Sequence, residues 1–366
     1  MGKRYLFFVT LEYSYSILRP LQEEILSRGD QVAWFIESGC KDLLTADEKR
    51  IHTIAEVMKY NPLAIFAPGN HIYDFFPGVK VYVTHGYPIY KRAGEAETHF
   101  KIRGWFDIYC TSGESSSPMF EKIEARNGSF KYYETGWCKA DPLATCKKIK
   151  VDNERVKIIY STTFTKGITA APILFDTIQD MVARREWDWV ISFHPKFNDS
   201  TTIDKYKALA AECDNVEYIT DGIITAELLN GADVMLCDSS SIITEFLLLG
   251  KRAVTFCNTA PGKHLLNVTS PQEVEAALER AISAEAPLLS DIEAYTHYHE
   301  AHLDGKNSAR ILDAVDDFVA NFQGTLKAKK AGFVRRYKLR RKCGFTPWQA
   351  IANILGHNNL NQIKLK

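Results

Sequence analysis

Eleven short apolar runs recur along the chain, and they fall into two series. The first holds "RYLFFVT" (4–10), "QVAWFIE" (31–37), "LAIFAPG" (63–69), "VKVYVTHG" (79–86), "FDIYCTSG" (106–113) and "FKYYETG" (130–136). After the charged stretch "CKKIKVDNERVK" come "VKIIYSTTF" (156–164), "WDWVISFHP" (187–195), "NVEYIT" (215–220), "DVMLCDSS" (233–240) and "RAVTFCN" (252–258). Most are nearly continuous apolar segments, as a parallel sheet covered on both faces requires. Helix-length amphipathic stretches separate several of them, such as Tyr15 to Arg28, which Gly29 ends. The repeated strand–helix alternation predicts an α/β chain of two Rossmann-like domains facing each other across a cleft. Its expected divisions are 1–150, 151–292, a returning helix within 293–325 and a tail at 326–366, with long helices at 271–284 and 293–322. A chain of 366 residues, 46% of them hydrophobic, can fill two such cores.

Charge is balanced in sum but not in place. No Asp or Glu follows Asp317, and the last 49 residues hold eleven Lys and Arg, so residues 1–317 carry 34 basic against 45 acidic residues. An acidic body with a basic tail predicts an anionic partner for the tail. The eight cysteines show no C-x-x-C pair and no regular spacing, which argues against a zinc site or a disulfide framework and fits a reducing cytoplasm. The run Tyr5 to Val9 is too short for a signal peptide, and no segment approaches the roughly 18 apolar residues of a membrane span.

In open α/β sheets, ligands bind beyond the carboxyl ends of the strands. The polar groups there are His85, Ser161 to Thr165, His194 and Asp238 to Ser241. None belongs to a G-x-G-x-x-G or Walker A loop, so dinucleotide and P-loop readings are weak. Ser239, Ser240 and Ser241 are expected on the first turn of a helix running to Leu249, where unpaired N–H groups favour an anion, though one helix cap would also account for a serine. Glu245 falls on the same helix face as Ser241 and Asp238, either to accept from a ribose or glycerol hydroxyl or as a surface residue. Pro195 after His194 keeps the chain extended and aims the imidazole off the sheet edge, toward a phosphate or, alternatively, a backbone partner. His85 has the same placement in the first half, with Gly86 allowing close backbone approach, and could serve as a general base. His52, His71, His99, His297 and His299 lack that context and read as surface or capping residues.

Five segments in order, "VTHGYPIYKRAG", "ETGWCKADPL", "IIYSTTFTKG", "FHPKF" and "CDSSSIITEFLLLGKRAVTF", resemble the CDP-glycerol glycerophosphotransferase family of teichoic-acid-type polymerases and primases. The resemblance spans roughly residues 79 to 258, and its last segment is the most specific. It implies a GT-B-like fold and transfer of glycerol phosphate, or a related polyol phosphate, from a CDP-activated donor to a hydroxyl of a cell-surface glycan or lipid-linked precursor. CMP would be released, with no cofactor and no catalytic metal. Carried over by position, His85 becomes the acceptor-side base, with Gly86, Lys91 and Lys139 in the acceptor-side loop. His194, Thr163, Lys166 and Ser239 to Ser241 hold donor phosphates, and Asp238 fixes their loop. Lys139 and Lys166 stand where the family usually has arginines, which keeps the charge but not the bidentate fork.

The tail "LKAKKAGFVRRYKLRRKCGFTPWQAIANILG" places nine Lys and Arg between 327 and 342 among Phe333, Tyr337 and Phe345, with Trp348, Ile351, Ile354 and Leu355 at helical spacing. This composition fits an anionic membrane surface contacted by 327–366, on the inner face of the cytoplasmic membrane; a helix packed back on the first domain is the alternative. Nothing in the body supports nucleic-acid binding. The runner-up activity is a GT-B glycosyltransferase using a UDP- or CMP-sugar. The third reading is a degenerate scaffold that binds a membrane or polyanion without turnover.

Overall fold

The computed structural model describes residues 2–88, 100–146, 155–220, 222, 224–283, 286–329 and 332–343. The chain divides into two compact units. Unit 1 comprises Met1–Gly86, Glu97–Asp141 and Glu300–Lys366, and unit 2 comprises Tyr87–Ala96 and Pro142–His299.

Unit 1 is built on strands β1 (Arg4–Val9), β2 (Gln31–Ile36), β3 (Arg50–Ile51), β4 (Ala64–Ala67), β5 (Val79–Tyr82), β6 (Ile108–Thr111) and β7 (Lys131–Glu134). They are all parallel, in the order β3-β2-β1-β4-β5-β6-β7. Unit 2 repeats the plan with β8 (Val156–Thr162), β9 (Trp187–Phe193), β10 (Val216–Ile219), β11 (Val234–Cys237), β12 (Arg252–Phe256) and β13 (Leu266–Val268), in the order β10-β9-β8-β11-β12-β13. In each sheet the order reverses beside the first strand, which makes the β1/β4 and β8/β11 junctions the switch points where such folds bind ligands. Each of the eleven apolar runs contains a strand; β3 and β13, at two and three residues, are too short to leave a pattern.

Period-two alternation explains why the runs are apolar throughout. In unit 2, Ile158, Tyr160, Trp189, Ile191, Leu236 and Val254 face one buried cluster, while Ile159, Val190, Met235, Cys237 and Ala253 face the other. In unit 1, Leu6, Phe8, Ala33, Phe35 and Ile65 share one core, and Phe7 packs edge-on to Trp34 at 4.7 Å between centroids. The helices relevant to the site are α1 (Ser14–Ser27), α2 (Ser117–Asn127), α3 (Ala171–Arg184), α4 (Ile242–Leu248), α5 (Val274–Ser283), α6 (Ala286–His299), α7 (Asn307–Asn321) and α8 (Phe333–Lys342).

The single helix expected over 293–322 is broken. The reason is tertiary: Asp141 accepts the first N–H groups of α7, from Asn307 at 2.8 Å and Ser308 at 2.7 Å. Buried Glu300 meanwhile accepts the Trp137 N–H at 3.1 Å. One carboxylate from outside the pattern, Asp141, thus fixes a new helix start, while Glu300 inside it holds the turn at Trp137. Gly136 lies inside this knot with φ 76°, and a Cβ there would sit 2.3 Å from Asn307 Oδ1 and 2.5 Å from Glu300 Oε1.

The basic tail also packs on unit 1. Lys327 N–H donates to Gly128 O at 2.9 Å, Lys329 pairs with Asp107 at 2.6 Å, and Leu339 and Cys343 join the core around Tyr73 and Phe76. Asp74 takes both Arg336 (2.8 Å) and Arg340 (2.7 Å). Burial would raise its pKa, but the two guanidinium groups outweigh that and hold it below the usual carboxylate value. Phe345, Trp348, Ile351, Ile354 and Leu355 lie outside the described residues.

Gly136→Ala is expected to destabilise the protein by at least about 2 kcal/mol, from positive φ plus collision with buried groups. Gly29→Ala, with φ 75° but nothing within 4 Å of the new methyl, should cost only about 1 kcal/mol. Denaturant midpoints of the two variants check the difference.

Candidate functional site

The β8/β11 switch point of unit 2 is organised by one carboxylate. Asp238 follows β11 and is fully buried. It accepts the Thr163 N–H at 2.9 and 3.1 Å, the Ala170 N–H at 3.1 Å, the Ser239 N–H at 2.6 Å and the Thr162 hydroxyl. Helix α3 has no side-chain cap of its own at Ala170, and Asp238 caps it from the end of the neighbouring strand. The Asp238 carbonyl receives Asn258 Nδ2 at 2.6 Å, and Ser239 Oγ receives the Thr259 N–H at 2.9 Å. The Asp238 carboxylate and the Ser239 and Thr163 N–H groups are therefore committed to the framework.

The serines do not form the first turn of the following helix. That helix, α4, begins at Ile242 and has seven residues, with Ser241 at its cap and no side-chain capping bond. A short helix offers a weak dipole, so anion binding here would depend on local N–H groups and hydroxyls. Ser240 is half-buried and Ser241 exposed. Lys166 is exposed in the 163–170 loop, whose two ends are both bonded to Asp238. Glu245 is 6% exposed, which excludes the surface reading of that residue.

His194 sits at the end of β9. Its Nδ1 accepts the Lys196 N–H at 3.1 Å, which puts the proton of a neutral ring on Nε2. Phe164 lies against the ring at 4.5 Å, and Lys196 Nζ stands 5.7 Å over Phe164. Phe164 is 43% exposed and escaped the sequence reading, although an aromatic after three hydroxyl residues at a strand end is a usable signal.

A second group in unit 2 was not foreseen. Thr244 Oγ1 meets Tyr295 OH at 3.2 Å, Tyr295 stacks on His264 at 3.7 Å, and His299 lies 4.5 Å from Tyr295. Burial lowers the pKa of both histidines to about 4, and for His299 the charge of His264 adds to the effect. His299 is 6% exposed and its Nδ1 has no hydrogen-bond partner among the described residues, so it is neither a surface nor a capping residue. The signal was available: His299, Tyr295 and Ile292 recur at helical spacing on one face of α6.

In unit 1, His85 follows β5. Its Nδ1 is 3.0 Å from the Tyr82 hydroxyl, and the Tyr13 ring lies 5.9 Å away. The residue keeps an exposed surface, yet the protein packed around the ring displaces enough water to lower its pKa below the ordinary histidine value. Gly86 has no positive φ, and the space beside its Cα is open. Lys139 lies over the Trp137 ring at 5.3 Å in the turn after β7. His71 bonds Glu37 at 3.2 Å rather than standing on the surface alone. Lys91 and His99 lie outside the described residues. Among those residues no group of three or more His, Cys, Asp or Glu is arranged to hold a metal ion.

No protein-family model and no curated protein matches this sequence. Solved structures do match. The Wall Teichoic Acid Polymerase TagF superposes with a TM-score of 0.61 at 12% identity, over 86% of this chain and 89% of that one. The chain has the GT-B fold. A UDP-N-acetylglucosamine 2-epimerase gives a TM-score of 0.56 at 13% identity, over 91% and 100% of the two chains. S. aureus MnaA, in a co-structure with UDP, gives 0.58 at 12% identity, over 88% and 98%.

Asp238→Ala would strand three buried N–H donors, and a loss of roughly 3–5 kcal/mol is expected. Ser241→Ala should stay within about 0.5 kcal/mol of the parent, by denaturant unfolding. His299 is held neutral in the folded state, with a pKa of about 4 against 6.5 when unfolded. The unfolded state therefore binds more protons between those values, and stability falls as pH drops from about 6.5 toward 4. His299→Gln should flatten that slope in unfolding curves recorded between pH 7.5 and about 4.5.

Proposed function

We propose that this chain is a transferase that moves glycerol phosphate, or a related polyol phosphate, from a CDP-activated donor to a hydroxyl of a cell-surface glycan or its lipid-linked precursor. The observation that carries the reading is the Asp238-centred junction at the β8/β11 switch point. There Ser240, Ser241 and Lys166 occupy the segments that Asp238 ties together. Hydroxyls, a lysine and backbone N–H groups at such a junction suit a pyrophosphate. The fold shared with TagF and the ordered motifs between residues 79 and 258 support the same class.

In this reading the acceptor oxygen attacks the β-phosphorus, the bond to the CMP oxygen breaks with its electron pair, and CMP departs. His85 takes the acceptor proton; its lowered pKa keeps the ring neutral and able to accept at pH 7. His194 and Lys166 offset charge on the phosphate oxygens, and Glu245 accepts from a ribose or glycerol hydroxyl. Lys91 and Lys139 belong to the acceptor side. No resident cofactor or metal is assigned.

The tail would meet the inner face of the cytoplasmic membrane through α8. Val334 and Tyr337 on α8 are 64% and 55% exposed beside exposed Arg335, Lys338 and Arg341, a surface suited to anionic lipid. Among the described residues no helix is long and apolar enough to cross a membrane.

The fold shared with MnaA, seen in a co-structure with UDP, favours a second reading: a glycosyltransferase using a UDP- or CMP-sugar. Donor profiling separates the two. Thermal stabilisation by CDP-glycerol or CDP-ribitol, with CMP release in the presence of membrane extract, is expected; a response to nucleotide sugars alone would move the site to a glycosyl donor. In the same assay His85→Ala should lower turnover roughly 10²–10⁴-fold while leaving donor affinity within about twofold.

A further inference from the structure

Unit 1 contains a cavity of about 460 Å³ that the mechanism above does not use. Glu37, Asn70, His71, Arg103, Trp105, Arg335, Lys338 and Leu339 line it. Glu37 follows β2 and Asn70 and His71 follow β4, so the cavity opens at the carboxyl ends of the sheet. Helix α8 supplies the opposite wall, anchored there by Leu339, Cys343 and the Asp74 pairs with Arg336 and Arg340.

The charges on that helix divide by direction. Arg336 and Arg340 are matched by Asp74, whereas among the described residues no carboxylate pairs with Arg335 or Lys338, which face the cavity. Arg103 adds a third cation and is held by Asn70 Oδ1 at 3.0 Å. Against these three stands one carboxylate, Glu37, which already accepts the Tyr73 hydroxyl at 2.9 Å and bonds His71 Nε2. Trp105 and Leu339 give the wall an apolar strip. Two guanidinium forks and an ammonium suit an organic phosphate better than a neutral sugar.

The cavity is also close to His85 along the sheet. Ala67 and Tyr82 are partners in the β4–β5 register, which brings the 68–71 loop beside the Tyr82–His85 turn. Asn70 and Arg103 also line a void of about 20 Å³ together with Tyr82, whose hydroxyl bonds His85. We propose that this cavity is a phosphate-binding subsite for the acceptor, built jointly by the strand ends of unit 1 and helix α8. It would hold a phosphate of the acceptor while a hydroxyl farther along reaches His85. The assignment to an acceptor rests on the transferase reading; the phosphate site itself does not.

The test is calorimetric titration of the full chain with sn-glycerol 3-phosphate, with no donor present. Saturable binding is expected, weakened roughly hundredfold in the Arg335→Gln/Lys338→Gln double variant and about tenfold in Arg103→Gln. Lys263→Gln, on unit 2, should leave it unchanged. Arg103 lies on a different segment from the other two, so a folding defect in the helix variant would not blunt the test. Unchanged affinity in both variants overturns the proposal. So does the absence of saturable binding to the native chain, or binding to phosphatidylglycerol vesicles without binding to the soluble phosphate. Because no donor is used, failure of the CDP-donor reading would appear in the donor assay with this binding intact, and failure of the subsite would appear here alone.

Discussion

The buried carboxylate of Asp238 is the interaction on which unit 2 depends. It collects N–H groups from the β8 loop, the start of α3 and its own strand end, and its neighbour Ser239 ties in the loop after β12. A carboxylate removed from water is tolerated only when several donors replace its hydration, and here backbone N–H groups and the Thr162 hydroxyl do so, with no paired cation among the described residues. The same bonding positions Ser240, Ser241 and Lys166 at the junction, so the framework and the candidate ligand site share one cause.

Unit 1 has a parallel device at its far end. Asp141 and Glu300 interrupt what the periodicity of 293–322 presents as one helix, and they fix the turn "TGWCKAD" against the start of α7. Gly136 is required there because neighbouring side chains fill the space a Cβ would need. Each unit thus turns its chain with acidic side chains that satisfy orphan N–H groups from a distance in sequence.

What could be read from the residues follows from this. Strands were legible because burial on both faces writes an apolar run directly into the sequence, as in "RYLFFV" and "VKIIYST". The helix break was not, since its cause lies about 160 residues away in Asp141 and Trp137. His85, His194 and Asp238 could be picked out because a polar residue at the end of an apolar strand stands out locally. In the His264–Tyr295–His299 stack, Tyr295 and His299 share a face of α6 at readable spacing, but His264 joins them only through packing. The tail's charge was visible as a block, but which cations meet Asp74 and which face the cavity depends on how α8 docks.

The discontinuity of unit 1 bears on the order in which the protein can fold. Every strand of unit 2 is complete by Val268 and its last helix by His299, whereas the unit 1 core still lacks Leu339 and Cys343 at that point. On the ribosome the N-terminal sheet emerges well before α8, which covers part of its hydrophobic face, and the whole second unit is synthesised in between. A nascent chain of this layout favours early chaperone contact at its amino-terminal half, where exposure lasts longest.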